Sequence, residues 1–457
     1  MIMLRRRVTA LFTAFFLVCS AISPFSAGTV RAEDVPAAGG PETSETVLSE
    51  ESAFTTEETP DSTTESYGLS ESIVGTPYSF ELTPQEMQIK SLMKQHDSLS
   101  ELRSAAEGTD YIAGEVFCLC DSEERAGEIA EAYGIDLIRF SSGVATFDVT
   151  KSGMSVLEVV ETGADPGNSL PPLEANYIQE NIPVDEGDND VLDISGTDLN
   201  APQNWMDIYE SLSSPDPLLK PDDPNYQWWH DVVDSWAGWG LYGTDFSKSG
   251  IRVGVIDSGI NATHEDLKGH TTQVATVGGG ATTADGHGTH VAGIIGATAG
   301  NGKGGAGIAP GIQLVALNHT DSSGDIPTSY IIECLNYAGN NGINIVNMSF
   351  GSSTYEASED IAIQNAYNMG VTLLASTGND GATVYKYPAQ LDHVIAVGAV
   401  QQDGTRSHFS TFGKGIADVY APGSDMMSTY TGGSSAYEKE QGTSMSCPAA
   451  AGLCALY

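Results

Sequence analysis

The chain has 457 residues, with 61 acidic against 19 basic side chains, a formal net charge of −42, and 40% hydrophobic residues. At about 100–200 residues per domain this length suggests about two to four units, and the apolar fraction can supply a large core. So large an acid excess excludes general nucleic-acid binding, which needs Lys and Arg to displace counterions, and a polybasic membrane-surface role.

Charge is unevenly distributed. Residues 1–32 carry no acid, and Arg5, Arg6 and Arg7 precede an apolar run at 8–21 that is short for a membrane span. Ending in Val30-Arg31-Ala32, this segment reads as a signal peptide removed on secretion, the alternative being an uncleaved anchor. No stable membrane insertion is expected once it is removed. Residues 33–107 read as an acidic, Ser/Thr/Glu-rich, mostly disordered segment, since 33–80 alone hold 11 acids and no Lys or Arg. Residues 180–223, with 12 acids and one Lys, read as an acidic linker containing a processing site. Between and beyond them lie a small unit at 108–179 and a larger one at 224–457.

The small unit alternates apolar runs at 116–120, 135–140 and 144–149 with helical patterns at 122–133 and 154–161, and closes on 173–178. That order predicts a small α+β, ferredoxin-like sandwich. Cys118 and Cys120, two apart on one strand, should face the core. No Cys-x-x-Cys pair occurs, which argues against a structural zinc site.

In the large unit, β-rich runs at 251–256, 312–317, 343–348, 371–375 and 394–397 alternate with helical patterns at 287–299, 326–340 and 358–369. Near-continuous Val, Ile and Leu in strands that alternate with helices predict a doubly wound α/β fold around a mostly parallel sheet. Its chemistry should sit at strand C-terminal ends. Three polar segments fall there. Asp257 follows the first buried strand, where an unpaired carboxylate would be costly. His287 opens a helix in Asp285-Gly286-His287-Gly288-Thr289-His290, and His290 reads as structural. Ser444, in Gly442-Thr443-Ser444-Met445-Ser446, opens the last apolar helix, where free N–H groups favour developing negative charge. Each alone could be a cap or a turn; together they are an acid, a base and a nucleophile.

In the order Asp257, His287, Ser444, these motifs resemble those of the subtilisin-like serine proteases. The resemblance runs from about residue 250 to 457 and implies an endopeptidase acting through an acyl-enzyme, with no cofactor needed for the chemistry. It makes Asn379 the side-chain donor of an oxyanion hole. Ser349, Phe350 and Gly351 would pair with extended polypeptide substrate, and Ser376, Thr377 and Gly378 would form the opposite pocket wall. Lys386 would fall near the pocket base; a stem snorkelling into solvent is the preferred reading over selection of acidic side chains. Asp266 matches a family calcium ligand that Asn301 could join, so a structural calcium is plausible. The small unit, ending Glu174-Ala175-Asn176-Tyr177, resembles the family's propeptide and would act as an intramolecular inhibitor. The implied location is extracellular, free or surface-associated. Ala449 departs from the family's usual His, and the catalytic unit reads as truncated at its C-terminus. The rival reading is therefore a catalytically silent homologue serving as a secreted binding or surface module.

Overall fold

The computed structural model describes residues 80–181, 205–279 and 285–457; the expected signal peptide, the segment at 33–79 and most of the acidic linker lie outside them. The first described elements are helices α1 (Pro84–Gln95) and α2 (Ser98–Ser104). They correct the expectation of disorder through 107. Thr83 and Glu86 form a reciprocal capping box at the start of α1, and Ile89, Met93 and Leu102 are buried in the small domain's core. Averaged acidity concealed this amphipathic spacing.

The small domain continues as β1 (Tyr111–Leu119), α3 (Glu123–Tyr133), β2 (Asp136–Ser141), β3 (Val144–Asp148), α4 (Val156–Ala164) and β4 (Glu174–Asn181). Its antiparallel sheet runs β4-β1-β3-β2, and Cys118 and Cys120 are both buried.

The second acidic tract is also ordered where it is described. Helix α5 (Trp205–Ser211) precedes a short turn at 217–219, and Asp216 is buried. This region is not a solvated spacer, because Asp216 accepts backbone N–H bonds from Gly300, Asn301, Gly302 and Lys303 at 2.6–3.3 Å. Helices α6 (Trp229–Val232) and α7 (Ser235–Tyr242) then pack Trp229, Trp236 and Trp239 around the buried His230.

The large domain follows as β5 (Arg252–Asp257), β6 (Thr271–Val274), α8 (Gly286–Gly296), β7 (Gln313–Asn318), β8 (Ile326–Pro327), α9 (Thr328–Asn340), β9 (Ile345–Met348), β10 (Phe350–Gly351) and α10 (Ala357–Asn368). It ends with β11 (Thr372–Ser376), β12 (Val394–Val400), β13 (Val419–Pro422), the hairpin β14 (Met426–Thr429) and β15 (Tyr437–Glu440), and α11 (Thr443–Leu456). Seven parallel strands in the order β13-β12-β11-β9-β5-β7-β6 make the main sheet. Helices cover both faces: the α8, α11 and tryptophan layer lies on one, and α9 and α10 on the other. This is the expected doubly wound α/β architecture. Among the described residues no helix is long and apolar enough to cross a membrane.

The two domains share a core, because the small domain's apolar side chains cluster with Ile331, Leu335 and Ile363 of α9 and α10. Glu174 extends the union by capping α10: its carboxylate accepts from the N–H groups of Ala357 (2.9 Å) and Ser358 (3.1 Å) and from the Ser358 hydroxyl. Asn176 does the same for α9, accepting from Ser329 N–H at 3.1 Å. Both satisfy N–H groups that a helix leaves unpaired at its start. Removing the cap in Glu174→Ala is expected to lower stability by about 1–2 kcal/mol, read as a shifted midpoint in denaturant unfolding followed by circular dichroism. An unchanged midpoint would mean that water replaces the cap at no cost.

Candidate active site

The carboxyl edge of the parallel sheet gathers the predicted polar residues. Asp257, the last residue of β5, is buried, and its carboxylate accepts from His287 Nδ1 at 2.9 and 3.1 Å. Oδ1 also accepts from Ser258 N–H (2.8 Å) and Oγ (3.1 Å), which fixes the carboxylate plane. His287 stands in the first turn of α8, where the Asp285 side chain caps Gly286 N–H at 2.6 Å. Gly288 is required beside it, since a Cβ there would lie 2.3 Å from the Gly259 carbonyl.

Charge couples the pair. Burial alone would lower the His287 pKa, but the Asp257 charge and hydrogen bond, with Glu440 and Asp285 beyond, raise it to about 9. Burial would raise Asp257, but His287 outweighs it and holds the carboxyl below its ordinary value. His290 is different in kind: Nε2 faces the Met426 and Glu438 carbonyls at 2.8 and 3.2 Å, and burial lowers it to about 3, a neutral structural imidazole.

Ser444 lies in the first turn of α11, a helix packed against α8. Its hydroxyl donates to the Ser349 carbonyl at 3.0 Å, while Ser349 Oγ donates back to the Ser444 carbonyl at 2.8 Å. His287 Nε2 is buried and has no hydrogen-bond partner among the described residues. The aspartate–imidazole half of the relay is thus assembled, with the hydroxyl turned toward Ser349. Asn379 follows β11, and its side-chain oxygen accepts from Thr443 N–H (2.9 Å) and Oγ1 (3.0 Å). That orientation places the amide nitrogen, its donor end, opposite the oxygen held by Thr443.

The remaining expected site residues frame a groove. Phe350 and Gly351 are β10, which pairs antiparallel with β4 (Phe350 opposite Asn181, Gly351 opposite Glu180). On the other side β8 pairs with the same strand, Ile178 opposite Pro327 and Gln179 opposite Ile326. A strand of the small domain therefore lies in the groove between two edges of the large one. Two-residue strands leave no periodic trace, so β8 was missed in the sequence. Ser376 and Thr377 are buried, with Thr377 Oγ1 donating to the Thr411 carbonyl at 3.3 Å; Gly378 has φ +101°, a conformation glycine tolerates. Lys386 does not snorkel into solvent: its ammonium lies 3.4 Å from Asp380 and 3.3 Å from Ser353 Oγ, and its side chain is 17% exposed.

Asp266 and Asn301 do meet, but not as calcium ligands. Asn301 Nδ2 donates to Asp266 Oδ1 at 2.6 Å, Tyr437 O–H to Oδ2 at 2.8 Å, and Lys303 N–H to Asn301 Oδ1 at 2.9 Å. Reversing the Asn301 amide would set oxygen against oxygen and N–H against N–H. Calcium wants six to eight oxygens, whereas loop 300–303 turns its N–H groups inward onto Asp216. Burial, with the Asp216 and Glu265 charges, pushes Asp266 up to about 7 against the lowering effect of the Asn301 and Tyr437 hydrogen bonds. Among the described residues no three His, Cys, Asp or Glu side chains group as a metal site. These residues do not fit the ion, which corrects the expectation.

A parallel sheet carrying a carboxylate-held imidazole, with a serine at the start of the neighbouring helix, defines the class of α/β serine peptidases. The subtilase family profile matches residues 248–457. Subtilisin Savinase of Lederbergia lenta is 42% identical over 210 residues, 46% of this chain and 76% of that protein. M-protease of Shouchella clausii is also 42% identical over 210 residues, but there the aligned stretch spans only 54% of the relative. Among solved structures, fervidolysin from Fervidobacterium pennivorans, a keratinolytic enzyme related to subtilisin, shares the fold with a TM-score of 0.58 at 22% identity, covering 77% of this chain and 55% of that one. The chain belongs to the subtilase family of serine endopeptidases.

Two outcomes follow from the electrostatics. With Ser444→Ala to prevent self-cleavage, the His287 ring should titrate near 9 by NMR, and Asp257→Asn should lower that midpoint. Because folding raises this pKa, the stability that His287 protonation contributes is complete below pH about 6.5 and is lost as pH rises through about 9. At the loop, EDTA should leave the melting temperature unchanged, whereas Asp216→Ala should lower it by stranding buried N–H groups; an EDTA-sensitive melt would restore the calcium reading.

Proposed function

We propose that the chain is the precursor of a secreted serine endopeptidase, carrying a signal peptide at 1–32 and holding itself inactive until the small domain is cut away within residues 180–223. The observation that carries this reading is β4, a polypeptide strand already paired on both sides within the groove that leads to Ser444. Strand addition is a general way to hold an extended peptide, and an incoming substrate would use the same edges.

In the reaction, the Ser444 hydroxyl turns from the Ser349 carbonyl to His287 Nε2. The imidazole takes its proton as Oγ attacks the carbonyl carbon, and Asp257 holds the tautomer and stabilises the imidazolium. The oxyanion is met by the Asn379 amide and Ser444 N–H. The imidazolium then gives its proton to the departing amine, leaving an acyl-enzyme. Water, deprotonated by His287, attacks the ester and restores Ser444. Lys386, already paired with Asp380, offers an acidic substrate side chain only part of its charge.

A fluorophosphonate probe should label the large fragment after self-cleavage, and Ser444→Ala should abolish both labelling and cleavage. A folded wild-type chain unlabelled before and after removal of the small domain would defeat the proposal. Asn379→Ala should lower kcat by about 10²–10³-fold, the cost of one lost oxyanion donor in subtilisin.

A further inference from the structure

Beyond Glu174 and Asn176, strand β4 inserts a third polar side chain, Gln179, into the body of the large domain. Gln179 is 2% exposed, and its amide donates to Glu359 Oε1 at 3.0 Å and to Thr328 Oγ1 at 3.4 Å. Thr328 in turn donates to Glu356 Oε1 at 2.6 Å. Both glutamates are buried, and among the described residues the second oxygen of each has no hydrogen-bond partner, as is also true of Gln179 Oε1. The charged groups acting on the pair are Glu101, Glu174 and Asp360, all acidic. Burial raises both carboxyls above their ordinary values, Glu359 to about 7.

Two carboxyls with spare acceptor capacity and no cation are an expensive arrangement inside a protein. A neutral amide satisfies one oxygen through a dipole. A lysine or arginine at the same strand position would offer several N–H donors and the missing positive charge, and charge-assisted bonds are the stronger kind. We infer that Glu359, backed by Glu356, makes this pocket a selector for lysine or arginine in the polypeptide strand that replaces β4. The selected residue is the one opposite Ile326, two before the residue opposite Phe350. This rests on the reading that substrate enters the β8–β10 groove. Gln179 is then an occupant that fits without saturating the pocket, which suits a tail that must later leave.

The pocket itself is tested in the full chain carrying Ser444→Ala, where nothing is cut. Gln179→Lys should raise the melting temperature, and adding Glu359→Gln should cancel that gain, with Glu359→Gln alone as the calibrating corner of the cycle. A lysine that lowers the melting temperature equally with and without Glu359 overturns the inference. In the active protein, cleavage sites mapped in a mixture of denatured proteins should show lysine and arginine enriched about tenfold at one position upstream of the cut, falling to within about twofold in Glu359→Gln. Cleavage without that enrichment also overturns the inference while leaving the proposed peptidase intact. No cleavage at all would instead count against the peptidase reading, and the melting cycle would still decide the pocket.

Discussion

The buried carboxylate of Asp257 is the constraint around which the large domain is arranged. It ends a central strand whose neighbours on both sides, β7 and β9, are paired along its length, so it cannot retreat to solvent. An ion in that position must be compensated. Its partner comes from the first turn of α8, close enough to reach only because Gly288 carries no side chain where the helix meets the loop after β5. The same pairing that makes the carboxylate tolerable raises the affinity of His287 for a proton. Stability and basicity thus have one origin.

That covering strand links the domains through chemistry as well as shape. Glu174 and Asn176 complete the starts of α10 and α9, and β4 completes the edges of β8 and β10. Each interaction satisfies a group that the large domain would otherwise expose to water. The small domain therefore supplies ends and edges, and a shared apolar cluster joins it to the outer face of α9 and α10.

Much of this was legible in the sequence where burial enforces a pattern. The continuous Val/Ile/Leu runs became β5, β7, β9, β11 and β12 within a residue or two, except that β12 runs on to Val400. Asp257, His287 and Ser444 were recognisable because each follows or opens an apolar element. Illegible were features whose cause lies far away along the chain. Asp216 looked like one more solvated acid, since nothing local announces the four N–H groups of loop 300–303. Helices α6 and α7 are built on tryptophans without clear periodicity, and Gly238 makes room for Leu456, more than two hundred residues on. Helix α1 was hidden because its two buried apolar residues, Ile89 and Met93, stand among Gln, Lys and Glu.

The loop around Asp216 shows how one structural requirement can be met by different chemistry. Loop 300–303 must be closed against the body of the protein, because it follows the helix that carries His287. A cation would close it by drawing carbonyl oxygens inward; here a carboxylate closes it by drawing N–H groups inward, and the backbone polarity is reversed. The two solutions exclude each other at one site, since peptide groups turned to present N–H cannot also present C=O. With the N–H groups engaged by Asp216, Asp266 is left to satisfy itself through the Asn301 amide and the Tyr437 hydroxyl. The segment preceding the catalytic domain thereby becomes part of its support: a cut that removed Asp216 would take with it the group on which the His287 helix's following loop is built.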